Sequence, residues 1–166
     1  MKRFTSCMGA LLLLTMLSLD AGAKKGGVIR IAGGTSVPEL GLVIDASHDK
    51  RLDRLVPGYK IINVAIVNES LNIISLDPEK DLWTIKLAGE GRSFPAIHDL
   101  RSKDPKAWTQ IPEKVRELVA YPLVLPIGGR ESVDLFLPNA VDVERFNELS
   151  VYLKSIDTKI EVLVRQ

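Results

Sequence analysis

Residues 59–68 carry the sequence YKIINVAIVN, and this stretch decides the fold class. Five of its ten residues are Ile or Val, which pack well on the pleated surface of a sheet. The run is too short for an ordinary buried helix, and the turn pair Pro57-Gly58 precedes it. We therefore predict a central β-strand over residues 59–68.

The chain around this strand repeats a pattern of alternating apolar and polar residues. Trp83, Ile85 and Leu87 alternate with Thr84 and Lys86, the spacing of a strand with one buried face, and we expect Trp83 to anchor the core. Similar alternation or short apolar runs occupy residues 28–32, 40–44, 72–76, 118–125, 132–137, 149–153 and 160–164. About eight or nine short strands separated by turn residues are typical of an antiparallel sandwich or barrel.

Residues 89–117 interrupt the strand pattern. Gly89-Glu90-Gly91 opens this segment, and because no helix or Lys-Ser/Thr pair follows, it predicts a hairpin turn rather than a phosphate site. A short helix is predicted at residues 112–118, since Pro112 suits the first helical position. A further helical turn is predicted at 141–146. The sequence therefore predicts one long, partly helical loop within an all-β fold.

The first 23 residues are organised like a secretory signal peptide. Lys2 and Arg3 precede a short apolar run at residues 8–19, and Ala-Gly-Ala at 21–23 fits a cleavage site. The alternative is a retained membrane anchor, but a spanning helix needs about 20 apolar residues and Asp20 ends this run early. We expect cleavage near Ala23 and a periplasmic or secreted protein.

Cleavage near Ala23 would leave a neutral chain without a cysteine. It removes Cys7, the only cysteine, and leaves equal numbers of basic and acidic residues. With 5% aromatic residues and no net positive charge, a nucleic-acid partner is not expected, nor is stable membrane insertion of the processed chain. The processed chain, 24–166, is predicted to be one domain: an extension with the first strands at 24–57, and a β-sandwich core at 58–166.

The two histidines carry no recognisable catalytic or metal motif. His48 and His98 are each followed by an aspartate, Asp49 and Asp99, but adjacent side chains on an extended chain point to opposite faces. No second ligand stands at useful spacing. We therefore predict both histidines in solvated loops, and predict no catalytic, cofactor-binding or metal-ligating residue and no cofactor.

Three carboxylates alternate at Asp77, Glu79 and Asp81, as they do at the start of a calcium loop. An EF-hand would then need Gly at its sixth position and Glu at its twelfth, where Leu82 and Ala88 stand. Asp followed by Pro suits a type I turn without any ion. This stretch predicts an acidic turn.

The long irregular segment holds the candidate contact residues. Long loops in compact domains often carry binding, and here Phe94, Arg101, Trp108 and Ile111 supply aromatic, basic and apolar groups. Alternatively, Trp108 and Ile111 fold back and plug an open end of the sandwich, because large aromatic side chains are mostly buried. The sequence leaves both possibilities open.

Residues 63–68, 77–87 and 125–138 together resemble the telokin-like, immunoglobulin-like domains of unknown function found in exported bacterial proteins. The shared pattern is a strand with an Asn near its end, an apolar strand after an edge stretch, and a Pro/Gly turn leading to a strand that ends in Pro. The resemblance spans about residues 58–155, without a lipobox and with a longer segment at 95–118. It implies a β-sandwich with an extracytoplasmic binding or accessory role, and no active-site residue.

The sequence therefore predicts an antiparallel, immunoglobulin-like β-sandwich with one long, partly helical loop. We expect an exported, non-enzymatic protein that binds an unidentified envelope protein through residues 94–118. Two alternatives from other classes remain. One is a small periplasmic hydrolase in which carboxylates and His98 converge in three dimensions, and the other is a carrier of an apolar ligand between the sheets.

Overall fold

The computed structural model describes residues 28–37 and 39–164, in which β-strands dominate. Its strands are β1 (Val28–Ala32), β2 (Thr35–Val37), β3 (Leu42–His48), β4 (Tyr59–Asn68), β5 (Ile74–Ser75), β6 (Leu82–Leu87), β7 (Ser93–Pro95), β8 (Val124–Leu125), β9 (Arg130–Pro138), β10 (Phe146–Leu153) and β11 (Thr158–Leu163). Its helices are α1 (Leu100–Lys103), α2 (Pro105–Gln110) and α3 (Glu113–Leu118), with 3-10 turns at Leu52–Arg54, Val143–Arg145 and Lys154–Ile156.

These strands form two large sheets and one small one. The five-stranded sheet has the order β1-β11-β10-β6-β7, the four-stranded sheet the order β2-β3-β4-β9, and β5 pairs with β8 alone. Every pairing within the described residues is antiparallel except that of β1 with β11, where Val28 lies opposite Lys159. The predicted all-β class with antiparallel sheets is confirmed.

The two large sheets bury one shared apolar core. Ile62, Val64 and Ile66 of β4 face it from the four-stranded sheet, and Trp83 and Ile85 of β6 face it from the other. Alternate residues of a strand point to opposite faces, which explains why the period-two pattern placed Trp83 and Ile85 on the buried face correctly. Trp83 is a fully buried core residue, as expected, and this arrangement fits a β-sandwich.

A second, smaller core lies on the outer face of the four-stranded sheet. Ile61 of β4 and Phe136 of β9 point away from the main core and are covered by the helical segment. Leu100 and Ile111 from that segment are buried against them, and Trp108 packs alongside, partly buried. The segment therefore packs over part of the outer face of this sheet, and it is not a free loop.

The segment contains more regular structure than the sequence indicated. The helix predicted at 112–118 is present as α3, but α1 and α2 also form, capped by the carboxylates of Asp99 and Asp104. The strand predicted at 118–125 was wrong, because α3 extends to Leu118 and only Val124–Leu125 pair in a sheet. The turn at 141–146 holds a 3-10 helix.

The predicted signal segment, residues 1–23, lies outside the described residues. Among the residues that the structure does describe, no helix has the length and apolar character needed to cross a membrane.

Candidate functional site

Two pockets meet at His98, on the side of the molecule where the turn after β5, strand β7 and the helical segment come together. One has a volume of 370 Å³ and is lined by α1, Trp108 and residues 119–123. The other has a volume of 480 Å³ and is lined by residues 78–79, 81–84 and 95–98, with Lys103 and Pro138. Because both pockets are lined by Pro78 and His98, we treat them as one site, the His98 groove. Its walls include Pro78, Leu82, Pro95, His98, Arg101 and Trp108.

The floor of the His98 groove is organised by Asp81, which is 1% exposed. Its Oδ2 accepts hydrogen bonds from the Asp77 amide and the Tyr121 hydroxyl, each at 2.8 Å. Its Oδ1 accepts one from the Lys154 amide at 2.9 Å. A buried carboxylate is tolerated when its oxygens are hydrogen-bonded in this way. Asp81 therefore ties its own turn to two segments that are distant in sequence.

Tyr121 extends this network towards the core. Its hydroxyl donates to Asp81 and accepts from Nε1 of Trp83 at 3.2 Å, so both polar atoms of the buried Trp83–Tyr121 pair have partners. Burial and the nearby Asp81 charge raise the pKa of Tyr121 far above its ordinary value. Tyr121 is therefore a neutral hydrogen-bond donor at any physiological pH.

His98 is 7% exposed and stands against this network. Its Nε2 donates to the Pro78 carbonyl at 2.9 Å, and its ring lies 4.7 Å from that of Tyr121, measured between centroids. A carbonyl only accepts, so the proton of the neutral ring is on Nε2, while Nδ1 is buried without a hydrogen-bond partner. Burial lowers the pKa of His98, partly opposed by the Pro78 carbonyl and Asp81.

The prediction that both histidines lie in solvated loops was therefore wrong. His98 is in the interior because the turn at 77–81 folds over it. His48 ends β3 with Nε2 at 3.1 Å from Oδ2 of Asp53, and Asp53 also accepts the Ile61 amide. The acidic turn itself is present, with Lys80 paired to Asp77, but its third carboxylate points inwards and not to solvent.

The four predicted contact residues do not form one surface. Arg101 and Trp108 line the same pocket of the His98 groove. Phe94 packs against the main core from β7, with the Arg92 guanidinium 4.8 Å from its ring centroid. Ile111 is fully buried in the second core, so its side chain has no surface to offer a partner. Of the two possibilities for Trp108 and Ile111, folding back onto the sheet is the one that describes Ile111. Both side chains pack over a sheet face and not at an open end of the sandwich.

A second polar cluster lies on the outer face of the four-stranded sheet, away from the groove. Asn63 of β4 donates from Nδ2 to Ser132 at 2.6 Å and to Asp134 at 2.9 Å. Burial raises the pKa of Asp134, partly opposed by the Asn63 hydrogen bond. Among the residues that the structure describes, no group of three or more His, Cys, Asp or Glu side chains is placed to hold a metal ion.

Sequence reasoning assigned Asp81 and Tyr121 to no site, and it named His98 only in the alternative of a hydrolase. Asp81 was assigned to a turn, and Tyr121 to a strand, because their partners are far away in sequence. A local signal did exist for His98: it follows Ala96-Ile97 and precedes Leu100 by two positions, an apolar setting for an imidazole.

Comparison with protein-family models, with curated proteins and with solved structures finds no match to this chain.

Proposed function

We propose that this chain is an exported, non-enzymatic, immunoglobulin-like β-sandwich that binds a protein partner at the bacterial envelope through the His98 groove. One observation supports this proposal most directly: Arg101 and Trp108 line one wall of a groove whose floor is held in place by a network of hydrogen bonds. A rigid floor with aromatic and arginine side chains on its wall is the usual composition of a protein contact site.

The strand order supports the immunoglobulin-like part of the proposal. Such domains place the C, F and G strands side by side in one sheet and the B and E strands in the other. Here β6, β10 and β11 are neighbours in that order, and β4 lies beside β9 in the second sheet. The parallel pairing of β1 with β11 and the helical segment between β7 and β8 are additions to that plan.

The groove chemistry favours binding over hydrolysis. A general base needs a free lone pair near a nucleophile, but the oxygens of Asp81 already accept three hydrogen bonds. Nδ1 of His98 has no partner and no exposed surface. The carboxyl group whose pKa is raised by burial, Asp134, is bonded to Asn63 on the outer face of β9 and not to His98.

The proposal is tested by capture of a partner from envelope extract. The bait is the protein expressed from its full sequence and purified in the processed form that the cells produce. Arg101→Glu reverses an exposed charge on the groove wall, and we expect at least about tenfold weaker capture of the same partner. Arg54→Glu reverses an exposed charge on the 3-10 turn at Leu52–Arg54 and serves as the matched control.

The test uses a point substitution and not a deletion of the helical segment, because a deletion would expose Ile61 and Phe136. Arg101→Glu should leave the melting temperature close to the parent value. Equal capture by the parent, Arg101→Glu and Arg54→Glu proteins would refute the proposal for this surface.

A second candidate function is binding of a small apolar ligand. The observation that favours it is the 480 Å³ pocket lined by Leu82, Trp83, Pro95, Ile97 and Pro138, within the size range of small-molecule sites. This pocket is lined by β6 and β7 of the five-stranded sheet and by Pro138 at the end of β9 in the four-stranded sheet. A melting temperature that rises with an added apolar compound, and is insensitive to Arg101→Glu, would favour this function.

A further inference from the structure

Four exposed apolar side chains lie in the segments that the small sheet of β5 and β8 joins. Leu71 is 88% exposed, Ile73 65%, Val124 48% and Ile127 54%. Single exposed apolar residues are ordinary on protein surfaces, but a group of large ones is usually functional. We call these four residues the apolar tip.

The small sheet brings the two halves of the apolar tip together. Ile74 pairs with Leu125 and Ser75 with Val124, so residues 71–73 and 126–127 continue from the paired strands on either side. Asn68 holds both segments: its Nδ2 donates to the Asn72 carbonyl at 2.8 Å and to the Leu125 carbonyl at 3.1 Å. Because Asn68 is fully buried, the tip is anchored to the end of β4.

The sequence that forms the apolar tip carries no charge. Residues 70–76 and 118–129 contain no Asp, Glu, Lys or Arg, in a chain where these make up 26% of the residues. Charged side chains return at the boundaries of the two runs, with Asp77 and Glu117 on one side, and with Glu69 and Arg130, both exposed, on the other. Neither Glu69 nor Arg130 forms an ion pair with another residue in the part of the chain that the structure describes.

We propose that the apolar tip is a self-association surface, on which a second copy of this chain packs about a twofold axis. In a symmetric dimer the same patch faces itself, so like charges repel, whereas an uncharged patch does not. Glu69 and Arg130 have opposite signs, and a twofold axis can place Glu69 of one copy near Arg130 of the other. The chain therefore supplies both an apolar centre and a complementary rim.

The size of the patch is suited to a reversible dimer. Four large side chains at about half exposure or more present on the order of 300 Å² of apolar surface. A standard interface buries about 800 Å² on each partner, with an apolar core and a polar rim. The tip can form that core, and a dissociation constant on the order of 1–100 μM is expected.

A lipid surface is a weaker candidate occupant. Segments that bind at the membrane interface combine apolar residues with Trp or Phe and with Lys or Arg on the polar side. The uncharged run at 118–129 has Tyr121 as its only aromatic residue, and Tyr121 is bonded to Asp81 inside the molecule. The 70–76 run has none.

Sedimentation equilibrium over about 1–300 μM tests the proposal. The sample is the protein expressed from its full sequence and purified in the processed form that the cells produce. The parent protein should be in monomer–dimer equilibrium. Leu71→Asp and Ile73→Asp should each weaken the dimer at least tenfold. Leu163→Asp, at an apolar site on β11 that is 42% exposed and lies outside the tip, should leave it unchanged.

Charge exchange at the rim distinguishes this dimer from non-specific association. Glu69→Arg should weaken the dimer, and the double variant Glu69→Arg/Arg130→Glu should restore it. A parent protein that stays monomeric throughout, tip variants that dimerise like the parent, or dissociation caused by Leu163→Asp would each overturn the proposal. Binding of the monomer to phosphatidylcholine vesicles that is lost in Leu71→Asp would assign the tip to lipid instead.

Discussion

The hydroxyl of Tyr121 donates a 2.8 Å hydrogen bond to the buried carboxylate of Asp81, forty residues earlier in the chain. The same carboxylate accepts the Lys154 amide, seventy-three residues later. The turn before β6, the residues after α3 and the end of β10 are therefore held at one point. This point is the floor of the His98 groove, so the stability of the fold and the shape of the groove depend on the same contacts.

Asp81→Ala should destabilise the protein strongly, because it leaves the Asp77 and Lys154 amides and the Tyr121 hydroxyl without an acceptor. We expect a loss of about 3–5 kcal/mol in the free energy of unfolding, measured by denaturant titration. Asp77→Asn removes an exposed pair with Lys80 and should cost much less than Asp81→Ala, because solvent screens that pair. Similar losses for the two variants would show that Asp81 is not the organising residue.

Tyr121→Phe should cost about 1–2 kcal/mol, since it removes the hydroxyl that joins Asp81 to Trp83 and keeps the ring. Tyr152→Phe is the matched control, because the Tyr152 hydroxyl bonds the partly exposed Asp157 on the surface. Equal thermal denaturation of the two variants would contradict a special role for the buried hydroxyl.

Acidification should destabilise the fold through His98. Burial holds its pKa in the folded chain below the ordinary value of 6.5. As pH falls through 6.5 the unfolded chain gains a proton that the folded chain does not, so the free energy of unfolding decreases below that pH. Above pH 7 the ring is neutral in both states and contributes nothing.

The measurement for this prediction is the melting temperature between pH 7 and pH 5. The parent protein should lose stability over that range, and His98→Gln should reduce the loss. A pH dependence that His98→Gln leaves unaltered would place the titrating group elsewhere.

Truncation of Trp83 tests the main core. It is fully buried between the sheets, so Trp83→Ala should cost about 3–5 kcal/mol in the free energy of unfolding. Trp108→Ala should cost clearly less, since Trp108 is only partly buried at the edge of the second core. The reverse order in denaturant titration would contradict the assignment of the two cores.

The sheets could be predicted from sequence because their signal is local. The apolar run at 59–68 gave the bounds of β4, and alternation around Trp83 gave those of β6. The short helices α1 and α2 also have local signals that were missed: Asp99 and Asp104 are caps, and Pro105 starts α2. These signals were outweighed by the prolines and mixed charges of the segment.

The candidate site was predictable only in part. Arg101 and Trp108 were selected because long segments often carry contacts, and both line the groove. Asp81, His98 and Tyr121 could not be joined from sequence, because sequence patterns report which face is apolar and not which distant segments meet there. Ile111 was misplaced as a contact residue for the same reason, since its burial depends on Ile61 and Phe136, which are far from it in sequence.

The central claim, that the His98 groove is the protein-binding surface, is tested most directly by photo-crosslinking in living cells. A photoreactive amino acid is placed at Lys103, an exposed residue on the groove rim, or at the exposed Arg54 as the control position. With both variants at parental abundance, we expect one defined protein adduct from position 103 and none from position 54. The same adducts from both positions, or no protein adduct from position 103, would contradict the claim.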